Sequence, residues 1–146
     1  MKKIINRKAK FKYSLEDYLE TGVVLTGAEV KSIKSGRLSL GDAFVRVKDG
    51  ELFLVNAQVS AYQTASEGYD PSRQRKLLAR KSEIQHLAKK IETKGFTLVP
   101  TAAYTKRGNI KIEIALGKGK KEYEKRDIIK RRDQQREIDR EMKNLQ

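Results

Sequence analysis

The sequence predicts a mainly β fold with accessory helices, a small closed or nearly closed antiparallel barrel followed by a flexible basic tail. Three observations carry this. Apolar and polar residues alternate in two long runs, AFVRVKDGELFLVNAQV and KGFTLVPTAAYTKRGNIKIEIAL, each broken by residues suited to a tight turn. Only a few short helical patterns interrupt such runs, a mix that suits a barrel with helices plugging its ends. From Gly117 onward the core-building composition stops: 18 of the last 30 residues are charged, and Val, Phe, Trp and Pro are absent. The expected partition is a barrel over 1–116 and a tail over 117–146, the tail too poor in apolar side chains to offset the entropy of ordering itself when free.

In chain order, Asn6–Tyr13 alternates Arg7, Lys8, Lys10 and Lys12 with Ala9, Phe11 and Tyr13, the pattern of a strand with one row turned outward. Ser14 is placed to cap a short helix in which Leu15, Tyr18 and Leu19 face the core and Gly22 ends the run. LTGAEVKSI reads as strand from Leu25, Val30 and Ile33, and Ser39 to Phe44 as a third, short helix. Asp49-Gly50 suits the positive backbone angles of a two-residue hairpin turn, so the runs on either side should pair antiparallel. Ser82 and Gln85 have capping-box spacing, and Ile84, Leu87, Ala88 and Ile91 then recur at helical intervals until Gly95. Around a turn near Arg107-Gly108-Asn109 the second hairpin ends in Ile110, Ile112, Ile114 and Leu116 at strict period two, with Lys111 and Glu113 on the opposite face.

Charge narrows the function. The net charge is +14, and the first 116 residues alone carry +10, so the basic field belongs to the body as well as the tail. Such a field concentrates polyanions, with nucleic acid the leading partner and an anionic membrane the second, the latter weakened by the lack of Trp and of any long apolar run. With no Cys there are no disulfides, thiolate metal sites or cysteine nucleophiles. The basic opening MKKIINRKAKFKY lacks the apolar stretch of a secretory signal, so a cytoplasmic address is expected. Catalysis has little support. Gly22 to Gly27 has phosphate-loop spacing but Ala28 stands where the lysine belongs, and GKG at Gly117 is too short for a dinucleotide fingerprint. The single His86 lies off the apolar face of its helix, as a solvated histidine does. No catalytic residue, cofactor or metal site is expected.

Four clusters remain, each with a bland alternative. Arg7 and Lys8 could meet phosphates or merely line a solvated edge. In DPSRQRKLLARK the Asp-Pro turn sets the entry, Arg73, Arg75 and Lys76 supply charge with forked guanidinium geometry, and Leu78 is either core or a support under an unstacked base. Lys111 is a candidate contact or a solvated side chain. GKGKKEYEKR offers Lys118, Lys120, Lys121, Lys125 and Arg126 around Gly119 with Tyr123 for stacking, and Lys130 and Arg131 continue the charge. As one helix the tail would gather Tyr123, Ile128, Ile138, Met142 and Leu145 into one arc interrupted by Asp127, Arg131 and Gln135. Folding on binding and a plain solubility tail are both open.

These strings, in this order, resemble the SmpB family, the tmRNA-binding proteins of bacterial trans-translation. The resemblance runs from NRKAKFKY through LETGVVLTGAEVKSIKSGR, DAFVRVKDGELFL, DPSRQRKLL and KGFTLVP to GKGKKEYEKR. It implies an OB-like barrel that binds the tRNA-like domain of tmRNA through Asn6, Glu20, Leu78 and Lys111. It further implies a tail that becomes helical in the empty mRNA channel past the ribosomal decoding centre, with Tyr123 and its cationic neighbours against ribosomal RNA, and a non-enzymatic monomer that rescues stalled ribosomes. Three positions depart from the family pattern: Phe11 replaces a histidine, Glu124 an aspartate, and Gln134 a frequent tryptophan. The rival readings are a barrel that binds ordinary rRNA or tRNA and an unrecognised nuclease or nucleotide transferase.

Overall fold

The computed structural model describes residues 1–63, 65–120 and 122–144, apart from the side chains of 122–124. Thirteen elements follow one another: β1 (Ile4–Ile5), α1 (Arg7–Lys12), β2 (Tyr13–Val23), α2 (Gly27–Lys34), β3 (Leu38–Ser39), β4 (Phe44–Lys48), β5 (Glu51–Val55), β6 (Gln58–Val59), β7 (Arg75–Leu78), α3 (Lys81–Lys94), β8 (Thr97–Lys106), β9 (Asn109–Gly119) and α4 (Glu122–Asn144). The main sheet runs β1-β8-β4-β5-β7-β2-β9, every pair antiparallel, and β8 also pairs with β9, which closes the ring. The closure is uneven. The β4–β8 seam is registered only at Val45 and Leu98, whereas β2 and β9 share a long ladder. Inside lie Val45, Leu52, Leu54, Leu77, Leu98, Ile110, Ile112, Ile114 and Leu116, with Ile33 of α2 and Ile84 and Leu87 of α3 packed into the same core.

Both hairpins form as the sequence predicts, with Asp49 and Gly50 at φ 52° and 74° and Arg107 and Gly108 at 51° and 81°. Several local expectations are reversed. The segment after Asn6 is helix α1, because the Asn6 side chain accepts from the Ala9 N–H at 3.1 Å and caps it. Ser14 to Gly22 lies inside strand β2, where pairing with β9 overrides a helix-like spacing of Leu15, Tyr18 and Leu19. LTGAEVKSI contains helix α2, since Thr26 and Glu29 form a reciprocal capping box and Val30 and Ile33 lie one turn apart. Ser39 to Phe44 gives the end of β3, a turn and the start of β4 instead of a helix, and α3 starts one residue before Ser82, with Glu83 accepting from the Arg80 N–H at 3.0 Å. Strand β9 continues to Gly119, three residues beyond the expected edge of the barrel.

Two internal devices hold the barrel's outer face in place. In β8 the register shifts between Pro100 and Ala102, as expected where proline removes a ladder donor. Asn6 fits this irregularity: its N–H donates to the Thr101 carbonyl at 2.8 Å and its side-chain amide to those of Pro100 at 2.7 Å and Leu40 at 3.0 Å. The second device is a buried charge network. Glu29 and Arg75 are each only 1% exposed, and the Arg75 Nε donates to Glu29 at 2.7 Å. Arg75 also donates to the carbonyls of Ala57, Arg73 and Pro71 and to the Tyr69 hydroxyl, all at 3.0 Å, so its guanidinium is fully engaged. Arg73 grips the same carboxylate from the rim.

Burial pushes the Glu29 carboxyl up, but the hydrogen bonds from Arg73, the Thr26 N–H and Arg75 outweigh it and hold it at about 2, against an ordinary 4.5. A group depressed in this way stabilises the fold fully above its unfolded value and loses that contribution as pH falls through the folded one. Between pH 4.5 and 2 the wild type should therefore lose about 3 kcal/mol of stability through Glu29, and the Glu29→Gln variant should lack this component in urea titrations across that range. At neutral pH the same substitution leaves buried guanidinium charge uncompensated and should cost about 3–5 kcal/mol of unfolding free energy.

Candidate nucleic-acid interface

On the barrel's outer face, the antiparallel registers place one residue from each of four strands in a row. Leu78 of β7 lies opposite Gly22 of β2, Gly22 opposite Lys111 of β9, and Lys111 opposite Tyr104 of β8. Leu78 is 50% exposed, a large apolar side chain turned away from the core. A side chain at Gly22 would put its Cβ 3.3 Å from the Leu78 Cβ, so glycine there keeps a low floor between Leu78 and Lys111. The resulting groove, about 320 Å³, is also lined by Asn109 and Ile110.

Glu20 flanks the row. Its carboxylate accepts from the Tyr104 hydroxyl at 2.5 Å and from Lys106 at 3.3 Å. The Tyr104 bond is the chief reason its carboxyl titrates below the ordinary value, with Lys106 and the Lys111 charge adding to the effect. Burial, followed by the Glu20 contact, raises the Tyr104 hydroxyl to about 12. Lys3 lies 5.5 Å from the Tyr104 ring centroid, adding a cation over that ring. The face thus combines an apolar shelf, an amine and a carboxylate whose remaining lone pairs can accept from a base amino group or a 2′-hydroxyl.

Of the residues singled out from sequence, Glu20, Leu78 and Lys111 are brought together here. Asn6 is not: it is buried, and its amide is engaged by backbone groups. Arg75 is removed from any direct phosphate contact by its burial against Glu29, and Arg73 is largely engaged by the same carboxylate. Lys76 sits on β7 paired with Glu51 at 3.0 Å, and Arg7 and Lys8 are exposed on α1, Lys8 paired with Asp42 at 2.8 Å. Gly22, Tyr104 and Lys106 were not singled out by sequence as parts of such a face. Tyr104's place in an alternating run was a visible signal, but its partner Glu20 sits on a segment that sequence reads as helix.

The tail's cations fall into two groups. Lys118 and Gly119 belong to β9, opposite Ser14 and Tyr13, and the Lys120 N–H and ammonium donate to the carbonyls of Lys12 and Lys10 at 2.9 and 3.0 Å. Lys125, Arg126, Lys130 and Arg131 lie on α4, where Arg132 reaches to 5.9 Å from the Phe11 ring centroid. Lys121 and Leu145 lie outside the described residues, as does the Tyr123 side chain. His86 is exposed, its Nε2 3.3 Å from Asp17, whose principal partner is Lys90. Among the described residues no His, Cys, Asp and Glu side chains group as metal ligands, and no helix is long and apolar enough to cross a membrane.

A barrel that presents an apolar and cationic groove within a strongly basic surface is of the nucleic-acid-binding class. The family model described as SmpB protein matches residues 3–144, and the chain belongs to that family. It is 48% identical over 139 residues to an SsrA-binding protein of Dehalococcoides mccartyi, covering 94% of this chain and 81% of the relative. An SsrA-binding protein of Trichormus variabilis is 47% identical over 141 residues, covering 95% and 91%. A chain of the solved structure described as "tmRNA-SmpB: a journey to the center of the bacterial ribosome" superposes with a TM-score of 0.68 at 40% identity, covering 82% of this chain and 85% of that one.

Two measurements check the geometry. Replacing Glu20 with Gln removes a negative charge from the Tyr104 hydroxyl, so its ionisation should move down from about 12 in an ultraviolet absorbance titration. Substituting Gly22 with Val fills the groove floor and should weaken RNA binding at least about tenfold in a filter assay, a loss of about 1.4 kcal/mol.

Proposed function

We propose that this chain binds the tRNA-like domain of tmRNA with the barrel's outer face and delivers it to stalled ribosomes for trans-translation. The observation that carries the reading is the Leu78–Gly22–Lys111–Tyr104 row with Glu20 beside it, in a member of a family whose relatives bind SsrA RNA. Leu78 supports an unstacked base, Lys111 meets phosphate or a base edge, and Glu20 accepts from a base amino group or a ribose hydroxyl while holding Tyr104 and Lys106 beside it. Shape and charge do the work, no bond is made or broken, and the protein acts as a monomer in the cytoplasm.

In the same proposal the barrel and the tail divide the labour. The barrel recognises tmRNA, while the tail, largely solvent-exposed along α4, enters the empty mRNA channel beyond the decoding centre and sets its cations against ribosomal RNA. Lys10 and Lys12, at the C-terminal end of α1, lie beside the root of this tail. The sensible boundary is Lys120, because β9 pairs with β2 as far as Gly119.

Filter binding of tmRNA against bulk tRNA at two salt concentrations tests the reading. The expected result is a tmRNA preference that persists as salt weakens both complexes. Equal affinity and equal salt slopes would describe only a basic protein that binds any RNA. Lys111→Ala should weaken tmRNA binding by about 1–3 kcal/mol. Truncation after Lys120 should leave that affinity intact while abolishing peptide tagging on stalled ribosomes.

A further inference from the structure

The outer face of β4, β5 and β7 carries a second arrangement that the reading above does not use. Val45, Leu52, Leu54 and Leu77 of these strands point into the core, so the alternate residues Phe44, Arg46, Phe53 and Lys76 face outward. The registers set Arg46 directly opposite Phe53, and Phe53 directly opposite Lys76. An aromatic ring thus stands between two cations in one row across three strands. Arg46 also lies 5.8 Å from the Phe44 ring centroid, so the cation already associates with aromatic faces on this surface.

We infer that this row is a second RNA contact, which takes an unpaired nucleotide with its base stacked on Phe53 and its flanking phosphates on Arg46 and Lys76. An aromatic ring flanked by cations on an exposed sheet meets the requirements of single-strand binding, since every base has a face to stack and every linkage a charge to neutralise. The carboxylate paired with the row is that of Glu51, which holds Lys76 at 3.0 Å in a solvent-exposed pair of small net worth, and a phosphate can replace it. Lys76 and Leu78 are two residues apart on β7 and share its outer face, so the row continues into the Leu78–Lys111 groove. One RNA strand leaving the groove would therefore cross Phe53 next. The partner is RNA rather than an acidic protein because of that continuity with a face already assigned to RNA, and the inference rests on the tmRNA reading to that extent.

The test uses the full chain and two probes, tmRNA and a fluorescein-labelled oligouridine of about ten nucleotides, within the usual length range for one such domain. Phe53→Leu keeps an apolar side chain and removes the stacking face, and Arg46→Gln keeps a polar side chain and removes the charge. Expected are a loss of about tenfold in oligouridine affinity for Phe53→Leu and a shallower salt dependence for Arg46→Gln. The tmRNA complex carrying 4-thiouridine should also give photo-crosslinks on the peptide that contains Phe53. Unchanged oligouridine binding in both variants, with crosslinks confined to the Leu78–Lys111 region, would overturn the second contact and leave the tmRNA reading standing. Loss of tmRNA preference in the wild type would instead overturn the reading itself. Unfolding midpoints of both variants within the wild-type range are the control, and Arg46→Gln, at an exposed position, carries the test if Phe53→Leu does not fold.

Discussion

Glu29 is the constraint on which the outer face depends. One carboxylate caps α2 through the Thr26 N–H, neutralises Arg75 inside the protein and draws Arg73 in from the rim. Its removal would release three segments at once: the start of α2, the loop carbonyls held by Arg75, and the entry to β7. Strand β7 has four residues and depends on correct entry, yet it supplies the Lys76 and Leu78 side chains to the surface. A buried ion pair of this kind is weak evidence for stability compared with an apolar replacement. Its contribution here is positional, because every N–H of Arg75 has a specific acceptor and the strand it begins cannot slide without breaking several of them.

The sequence made the hairpins plain and the first third of the chain opaque, for physical reasons. Asp49-Gly50 and Arg107-Gly108 announce turns because few residue pairs tolerate two successive positive φ angles, and the flanking alternation then dictates register. Around Asn6 and Ser14 two periods compete. RKAKFK alternates as a strand does, but its single deeply buried residue is Ala9, and a capped turn of helix places it inward. YSLEDYLETGV contains a helical spacing, and only the ladder with β9 decides for strand. That partner lies about a hundred residues away, outside any local window.

Candidate RNA contacts were legible in kind more than in role. The exposed side of β9 came through, since alternation alone assigns a face, whereas Leu78 stood open between core and surface and is turned outward by its place on β7. Arg73 and Arg75 did not: composition marks them as cations and cannot tell a phosphate grip from a carboxylate grip. The distinguishing signal was the capping pair Thr26 and Glu29, which places an acid where a helix start turns toward the core. Once Glu29 is buried it requires a counter-charge, and two arginines separated by one residue are well suited to supply it.

Asn6 shows how a buried group can position surfaces that it does not itself form. Its side-chain amide donates to Pro100 and its main-chain N–H to Thr101 at the β8 irregularity, while its side-chain oxygen caps α1, so the helix is fixed to the barrel at its start. At the other end of α1, the carbonyls of Lys10 and Lys12 receive Lys120, where a cation meets the negative end of the helix dipole. The root of the tail thus takes its position from α1, and α1 takes its own from Asn6. On the other side, the Thr101 hydroxyl donates to Glu113, which stands opposite Glu20 on the outer face. A single residue therefore lies between the candidate recognition surface and the origin of the tail, and its influence on either is through geometry.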